Sequence, residues 1–263
     1  MKIIGISGRK QSGKNTAANI LHGIVLKKQK TLKEFDISTN GQLNILTNDS
    51  EGNEGWGEFD IARRDEAFVD YAEYNMWPFV KLYSFADNLK SICQELFDIP
   101  TESLWGTDKQ KNQPQKHLLW ENMPKAINSG MMKKLLPPDA KASRGWKEGP
   151  MTAREFMQFL GTNVMRKIYG SVWVNSTIKK IAREQSELAI IADVRFPNEA
   201  KAIEDAGGTV IRLTRVIKED NHPSEIALDD YNFKHYIDNK EGNIDALVSK
   251  VKSLYTKMQR ETC

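Results

Sequence analysis

The order strand, glycine loop, helix over residues 2–28 constrains this chain more than any other feature. Lys2 to Ser7 (KIIGIS) is a short β-branched run that leads into glycine, and Lys14 to Leu26 then carries Ala17, Ile20, Leu21, Ile24 and Val25 at helical spacing. Between them, "GRKQSGK" matches the phosphate-loop pattern G-x-x-x-x-G-K from Gly8 to Lys14, with Asn15 where Ser or Thr is usual. Backbone N–H groups near Gly8, Ser12 and Gly13 and the helix N-terminus would cradle an anion, and Lys14 adds a point charge.

The rest of the chain alternates strands and helices. Phe79 to Phe85 reads as a buried strand, followed by a helix over 86–97 with Leu89, Ile92, Cys93 and Leu96 on one face. Thr152 and Glu155 form a legible capping box, which starts a helix running to a turn at "LGT". A helix over 172–183, the apolar strand 188–192, a helix over 198–206 closed by Gly207-Gly208, the strand 209–213 and a final helix over 243–258 follow. Short, unalternating strands between helices predict an α/β fold, a three-layer α/β/α arrangement with a mostly parallel sheet. The chain is expected to be one domain, residues 1–263. The polar, turn-rich stretch 27–74 reads as an inserted hairpin-like excursion outside the core. The Pro-, Gly-, Lys- and Trp-containing stretch 100–150 reads as a loop, and 105–148 within it as a lid or substrate region.

Composition narrows the class further. Lys and Arg exceed Asp and Glu by 38 to 35, which gives no argument for a nucleic-acid polymer or a membrane as partner. Two cysteines are too few for a disulfide framework, and no apolar run approaches membrane length, so a soluble cytoplasmic protein is expected. The four histidines, His222 of "NHPSE" among them, show no metal-ligand spacing, although "HPSE" could shape a pocket edge.

Three other stretches could carry chemistry. In "LAIIADVRFPNEA", Asp193 at the end of a buried strand suits an acid beside phosphate-bound magnesium, and Arg195 could grip an anion. The alternative, a turn cap or a pair between the two, weighs equally. Arg154 and Trp173 in "MTAREFMQFLGTNVMRKIYGSVWV" read by themselves as a solvated charge and a core anchor. Lys90 in "YSFADNLK" reads as an ordinary surface lysine unless an acceptor phosphate lies near it.

Together, "GRKQSGKNT", "FADNLK", "WENMP", "GPMTAREFMQFLGT", "VWV", "IADVRFPNEA", "GGTVIRLTR", "HPSEIALDD" and "YIDN" resemble bacteriophage deoxynucleoside monophosphate kinases over nearly the whole chain. The pair Asn15-Thr16 resembles the monophosphate-kinase form of the loop, in which Lys is followed by a variable residue and then Thr. The resemblance implies transfer of a phosphoryl group from ATP to a deoxynucleoside 5′-monophosphate in the cytoplasm, the host's if the chain is phage-encoded. It leaves a homodimer open. Gly8, Ser12, Gly13, Lys14, Asn15 and Thr16 would hold ATP. Thr16 and Asp193 would face Mg²⁺. Leu89, Lys90, Arg154, Gly161, Trp173, Asp193, Arg195 and Glu199 would line the acceptor side, with Lys14, Arg154 and Arg195 catalytic. Lys109 or Lys111 could supply a further cation. The rival readings are another small-acceptor phosphate-loop kinase, of the dephospho-coenzyme A or shikimate type, and a nucleotide-dependent switch or DNA-packaging ATPase.

Overall fold

The structure is a computed structural model that describes residues 1–48, 52–123, 148–216 and 226–261. The chain forms two compact units, Met1–Phe85 with Val174–Cys263, and Ala86–Trp173. In chain order, β1 (Lys2–Ser7), α1 (Lys14–Lys28), β2 (Glu34–Ile37), β3 (Leu43–Asn48), β4 (Glu54–Glu58), α2 (Glu66–Asn75) and β5 (Val80–Tyr83) open the first unit. The second unit holds α3 (Asp87–Phe97), α4 (Thr101–Trp105), α5 (Asp108–Lys111), β6 (Pro114–Leu119), β7 (Pro150–Thr152) and α6 (Ala153–Gln158). Then come α7 (Val172–Glu184), β8 (Leu188–Val194), α8 (Pro197–Asp205), β9 (Thr209–Leu213), β10 (His235–Ile237) and α9 (Ile244–Arg260).

The five-stranded sheet of the first unit has the order β10-β9-β1-β8-β5 and every pairing is parallel, as the unalternating strands predict. Helices cover it as a three-layer α/β/α arrangement. β1 is central, with Ser7 paired to Val194 of β8 on one side and to Arg212 of β9 on the other. The loop after β1 therefore emerges beside the carboxyl ends of both neighbours, the crevice where sheets of this kind take ligands. α8 approaches β1 so closely that a Cβ on Gly5 would lie 2.7 Å from Ile203 Cδ1. The final helix is capped by Asn243, whose side chain accepts from the Ala246 N–H at 3.0 Å.

Four expectations need correction. The stretch 27–74 is hairpin-like as expected, with β2, β3 and β4 paired antiparallel in chain order, but it is not outside the core: Ile37, Leu43, Phe68 and Ala72 join the same hydrophobic cluster as Ile4, Leu21 and Val80. Its polar composition hides a few apolar residues that share one buried face. Residues 101–119 are packed elements and not loop: Leu104 and Leu118 are buried, and β6 pairs with β7. Of the segment read as a lid, 124–147 lies outside the described residues, as does "HPSE". Leu96 does not share the buried face of α3 with Leu89 and Cys93; it is 73% exposed. Finally, "LGT" makes no turn. Phe159–Met165 continues the helix with π geometry, widened by one residue per turn. The three-residue β10 is absent from the sequence reading because so short a run has no measurable period.

Candidate functional site

The residues that the sequence singles out divide between the two units. In the first, the loop after β1 is built around Gly13, whose φ of 94° is left-handed and so favours glycine. Gln11, with φ 61°, is held in the same region despite its side chain, a strained conformation of the kind found at ligand-binding loops. No side chain caps α1 and no acidic residue sits in its first turn, so the N-terminus of the helix favours an anion. Lys14 folds back over the loop, its Nζ donating to the carbonyls of Gly8 and Arg9 at 2.8 Å each. Ser12 is fully buried, and its Oγ has no hydrogen-bond partner. A buried unpaired hydroxyl is costly, and a phosphate oxygen at this position would satisfy it.

A residue not singled out from the sequence secures the loop. Asn239, at the end of β10 and buried, donates from Nδ2 to the Ser12 carbonyl at 2.7 Å and accepts the Arg215 N–H at 3.1 Å. Its motif "YIDN" was visible, but its partner was not. Thr16 and Asn15 have different surroundings. A Cβ on Gly41, itself at φ 85°, would run into Thr16 Oγ1, and the Gly41 carbonyl accepts from Asn19 Nδ2 at 2.8 Å. The turn after β2 thus covers the face of α1 that carries Thr16 and Asn19, whereas Asn15 is exposed.

Asp193 lies near the end of β8 and is bound from β5: Ser84 Oγ donates to Oδ2 at 2.6 Å and the Phe85 N–H to Oδ1 at 3.2 Å. Both carboxylate oxygens thus receive a donor, which fixes the plane of the group. Ser84 is the second residue missed, although it stands in the "YSFADNLK" stretch. Glu199 is 2% exposed, and its Oε2 accepts the N–H groups of Arg195 and Phe196 at 2.8 and 3.0 Å. That bond pair fixes the backbone from which the Arg195 side chain projects.

In the second unit, Leu89, Gly161 and Trp173 come together. A Cβ on Gly161 would stand 2.7 Å from Leu89 Cδ2, and the Gly161 carbonyl accepts from Trp173 Nε1 at 3.1 Å. The π-helical stretch frees carbonyls from the regular ladder, and the indole takes one of them. Trp173 is only 4% exposed, so the ring is an anchor of this unit. Lys90 Nζ lies 5.4 Å from the centre of the Trp105 ring, close enough for cation–π attraction. Arg154 pairs with Asp108 at 2.6 Å on the surface. Asp108 opens α5, and Lys109 and Lys111 follow it there.

The oxygen donors of the first unit, the Asp193 carboxylate, the Asn15 amide and the Thr16 hydroxyl, are hard ligands that suit Mg²⁺. No group of three or more His, Cys, Asp or Glu residues that could hold a metal occurs among the described residues. No helix among them is long and apolar enough to cross a membrane.

Comparison with known proteins gives consistent matches. Residues 89–251 match the family model for deoxynucleotide monophosphate kinase. The chain is 27% identical over 162 residues to a protein of Acanthamoeba polyphaga mimivirus described as a deoxynucleotide monophosphate kinase, across 55% of this chain and 67% of that one. It is 28% identical over 112 residues to the deoxynucleoside-5′-monophosphate kinase of Escherichia phage T5, across 38% of this chain and 44% of the phage protein. The matched family region begins after the phosphate loop, so the family match and the loop are separate observations.

Proposed function

The chain belongs to the deoxynucleotide monophosphate kinase family and is therefore a phosphotransferase acting on nucleotides; from that premise, we propose that it transfers the γ-phosphoryl group of ATP to a deoxynucleoside 5′-monophosphate, giving the diphosphate and ADP. The observation that carries this reading is the loop at the carboxyl end of β1, with Lys14 over it, a buried unpaired Ser12 hydroxyl within it, and Asp193 on the adjacent strand. A loop of this construction suits a polyphosphate donor. A switch or packaging ATPase would share the loop, but the family match covers the acceptor-side residues and favours the kinase.

Gly8, Ser12 and Gly13 would bind the donor phosphates through the loop, and Lys14 would leave its carbonyl partners to neutralise charge on the transferring group. Asn15, Thr16 and Asp193 would hold Mg²⁺, which when bound supplies electrostatic neutralisation of the phosphate oxygens. Ser84 and Phe85 keep the Asp193 carboxylate in one plane for that task. Arg195, started from a backbone that Glu199 fixes, would grip the acceptor phosphate with its planar fork. Within the second unit, Lys90 and Arg154 carry cations of the kind a nucleotide phosphate pairs with, and Leu89, Gly161 and Trp173 pack into one cluster. The attacking atom is a phosphate oxygen already largely deprotonated at neutral pH, so positioning and charge suffice without a strong general base. A host-cytoplasmic deoxynucleotide supply is the setting that fits this reaction.

The test is an acceptor panel: ADP release from ATP with each deoxynucleoside monophosphate, with dephospho-coenzyme A, and with DNA, each with and without Mg²⁺. The proposal expects Mg²⁺-dependent ADP and deoxynucleoside diphosphate in equal amounts. ADP release stimulated only by DNA would replace it with the ATPase reading.

A further inference from the structure

Arg9 is the second residue of the phosphate loop, and its guanidinium forms an ion pair with Asp229 Oδ2. The other oxygen, Oδ1, accepts from Arg212 at 2.7 Å, so one carboxylate serves two guanidinium groups. Arg212 belongs to β9, beside the end of β1, and also donates to Ser7 Oγ at 3.0 Å while lying 5.7 Å from the centre of the Phe233 ring. Burial pulls its pKa below the ordinary value, and the Asp229 charge opposes that shift. These five residues belong to the first unit and form one network at the edge of the loop.

The two arginines stand on different elements, Arg212 on a strand of the sheet and Arg9 on the loop. Arg212 has a hydroxyl partner and an aromatic face besides Asp229, and its side chain is 12% exposed. Arg9 stands on the loop with a side chain that is 19% exposed, and Asp229, 35% exposed, reaches it from the segment after β9. Two guanidinium groups converge on this one carboxylate, next to a loop that already favours anions. A partly solvated carboxylate can leave one guanidinium at modest cost while it stays on the other.

We propose that Arg9 is a further ligand of the donor's phosphates and that Asp229 is its resting partner, an internal anion that the incoming polyphosphate displaces from Arg9 but not from Arg212. The inference rests on the phosphate-loop reading. Its chemistry is that of guanidinium with phosphate, for which the charged, bidentate fork of arginine is well matched. A carboxylate that competes for the same fork weakens phosphate binding by its own affinity for Arg9, so its removal strengthens binding.

Calorimetric titration of the full chain with inorganic tripolyphosphate and with ATP, at low ionic strength, tests this. Arg9→Ala is expected to weaken both ligands by about 10-fold or more, the scale of one charged hydrogen bond. Asp229→Asn is expected to tighten both several-fold, and the gain should vanish in the Arg9→Ala background. Weaker binding in Asp229→Asn, or unchanged binding in Arg9→Ala, would overturn the proposal. Lys14→Ala separates the two levels: if it weakens tripolyphosphate while Arg9→Ala does not, only the role of Arg9 fails, whereas no effect of either removes the loop reading itself. Melting curves accompany every variant, and Asp229→Ser replaces Asp229→Asn if the latter does not fold, with the same two outcomes.

Discussion

The phosphate loop and the Leu89–Gly161–Trp173 cluster hold their residues in opposite ways. Around the loop, polar atoms are held by other polar atoms: Asn239 on the Ser12 carbonyl, Lys14 on two loop carbonyls, Ser84 on Asp193, Glu199 on the backbone of Arg195. In the second unit, close packing does most of the holding, with a leucine against a glycine and a buried indole that adds one hydrogen bond to the Gly161 carbonyl. The Arg154–Asp108 ion pair of that unit lies at the surface. The contrast predicts that substitutions in the first group change turnover more than stability, and that substitutions in the cluster do the reverse.

The largest effect should come from Lys14→Ala. Removing the cation that neutralises the transferring phosphoryl group should lower kcat/KM by roughly two to three orders of magnitude, with the melting temperature nearly unchanged. Steady-state kinetics beside a thermal melt would check it, and near wild-type turnover would break the comparison on its first side. Trp173→Ala should do the opposite, costing about 3–5 kcal/mol of stability as a buried aromatic is lost. Gly161→Ala should cost about 1–3 kcal/mol because the new methyl meets Leu89. Chemical denaturation measures both, and a variant of Trp173 that keeps its stability while losing acceptor binding would instead move the ring from anchor to pocket wall.

How much of this was legible follows the same division. The strand before the loop, the loop, α1, β8, α8, β9 and α9 have strong periods or fixed spacings, and the sequence reading places each within a few residues. Asp193 and Arg195 were found because a buried strand ends at them. Their partners were not, since Ser84 and Asp193 lie 109 residues apart and Asn239 and Ser12 lie 227 apart, and such pairs leave no spacing in one sequence. The three-stranded sheet was misread as peripheral for a related reason. One buried face of a short antiparallel sheet needs few apolar residues, and those of β2 and β3 are scattered among turn formers.

A pH titration of stability sharpens the first half of the comparison, because α1 also carries a buried histidine. His22 is fully buried, with Nδ1 2.9 Å from the Ala18 carbonyl and Nε2 unpaired, and burial lowers its pKa to about 4. The folded protein thus resists a proton that the unfolded chain accepts below the ordinary 6.5. This contribution to stability is complete above pH 6.5 and is lost as pH falls towards 4, by up to about 3 kcal/mol. Urea denaturation from pH 7.5 to 4.5 would show it, and His22→Gln should flatten the slope over that window. An equal slope in both proteins would assign the acid sensitivity to other groups.

The smallest stability effect belongs to Arg154→Ala, and its smallness makes it useful. The pair with Asp108 is exposed, so breaking it should change stability by less than about 1 kcal/mol. Any kinetic loss then belongs to function and not to folding. If Arg154 leaves Asp108 to bind the acceptor phosphate, Arg154→Ala should raise KM for the monophosphate at least 10-fold and leave KM for ATP in place, whereas Asp108→Asn, which releases the arginine, should lower the acceptor KM or leave it unchanged. A parallel loss in both variants would mean that the ion pair itself is what the second unit needs, and its polar periphery would then resemble the phosphate loop's scaffold more than the two regions' contrast allows.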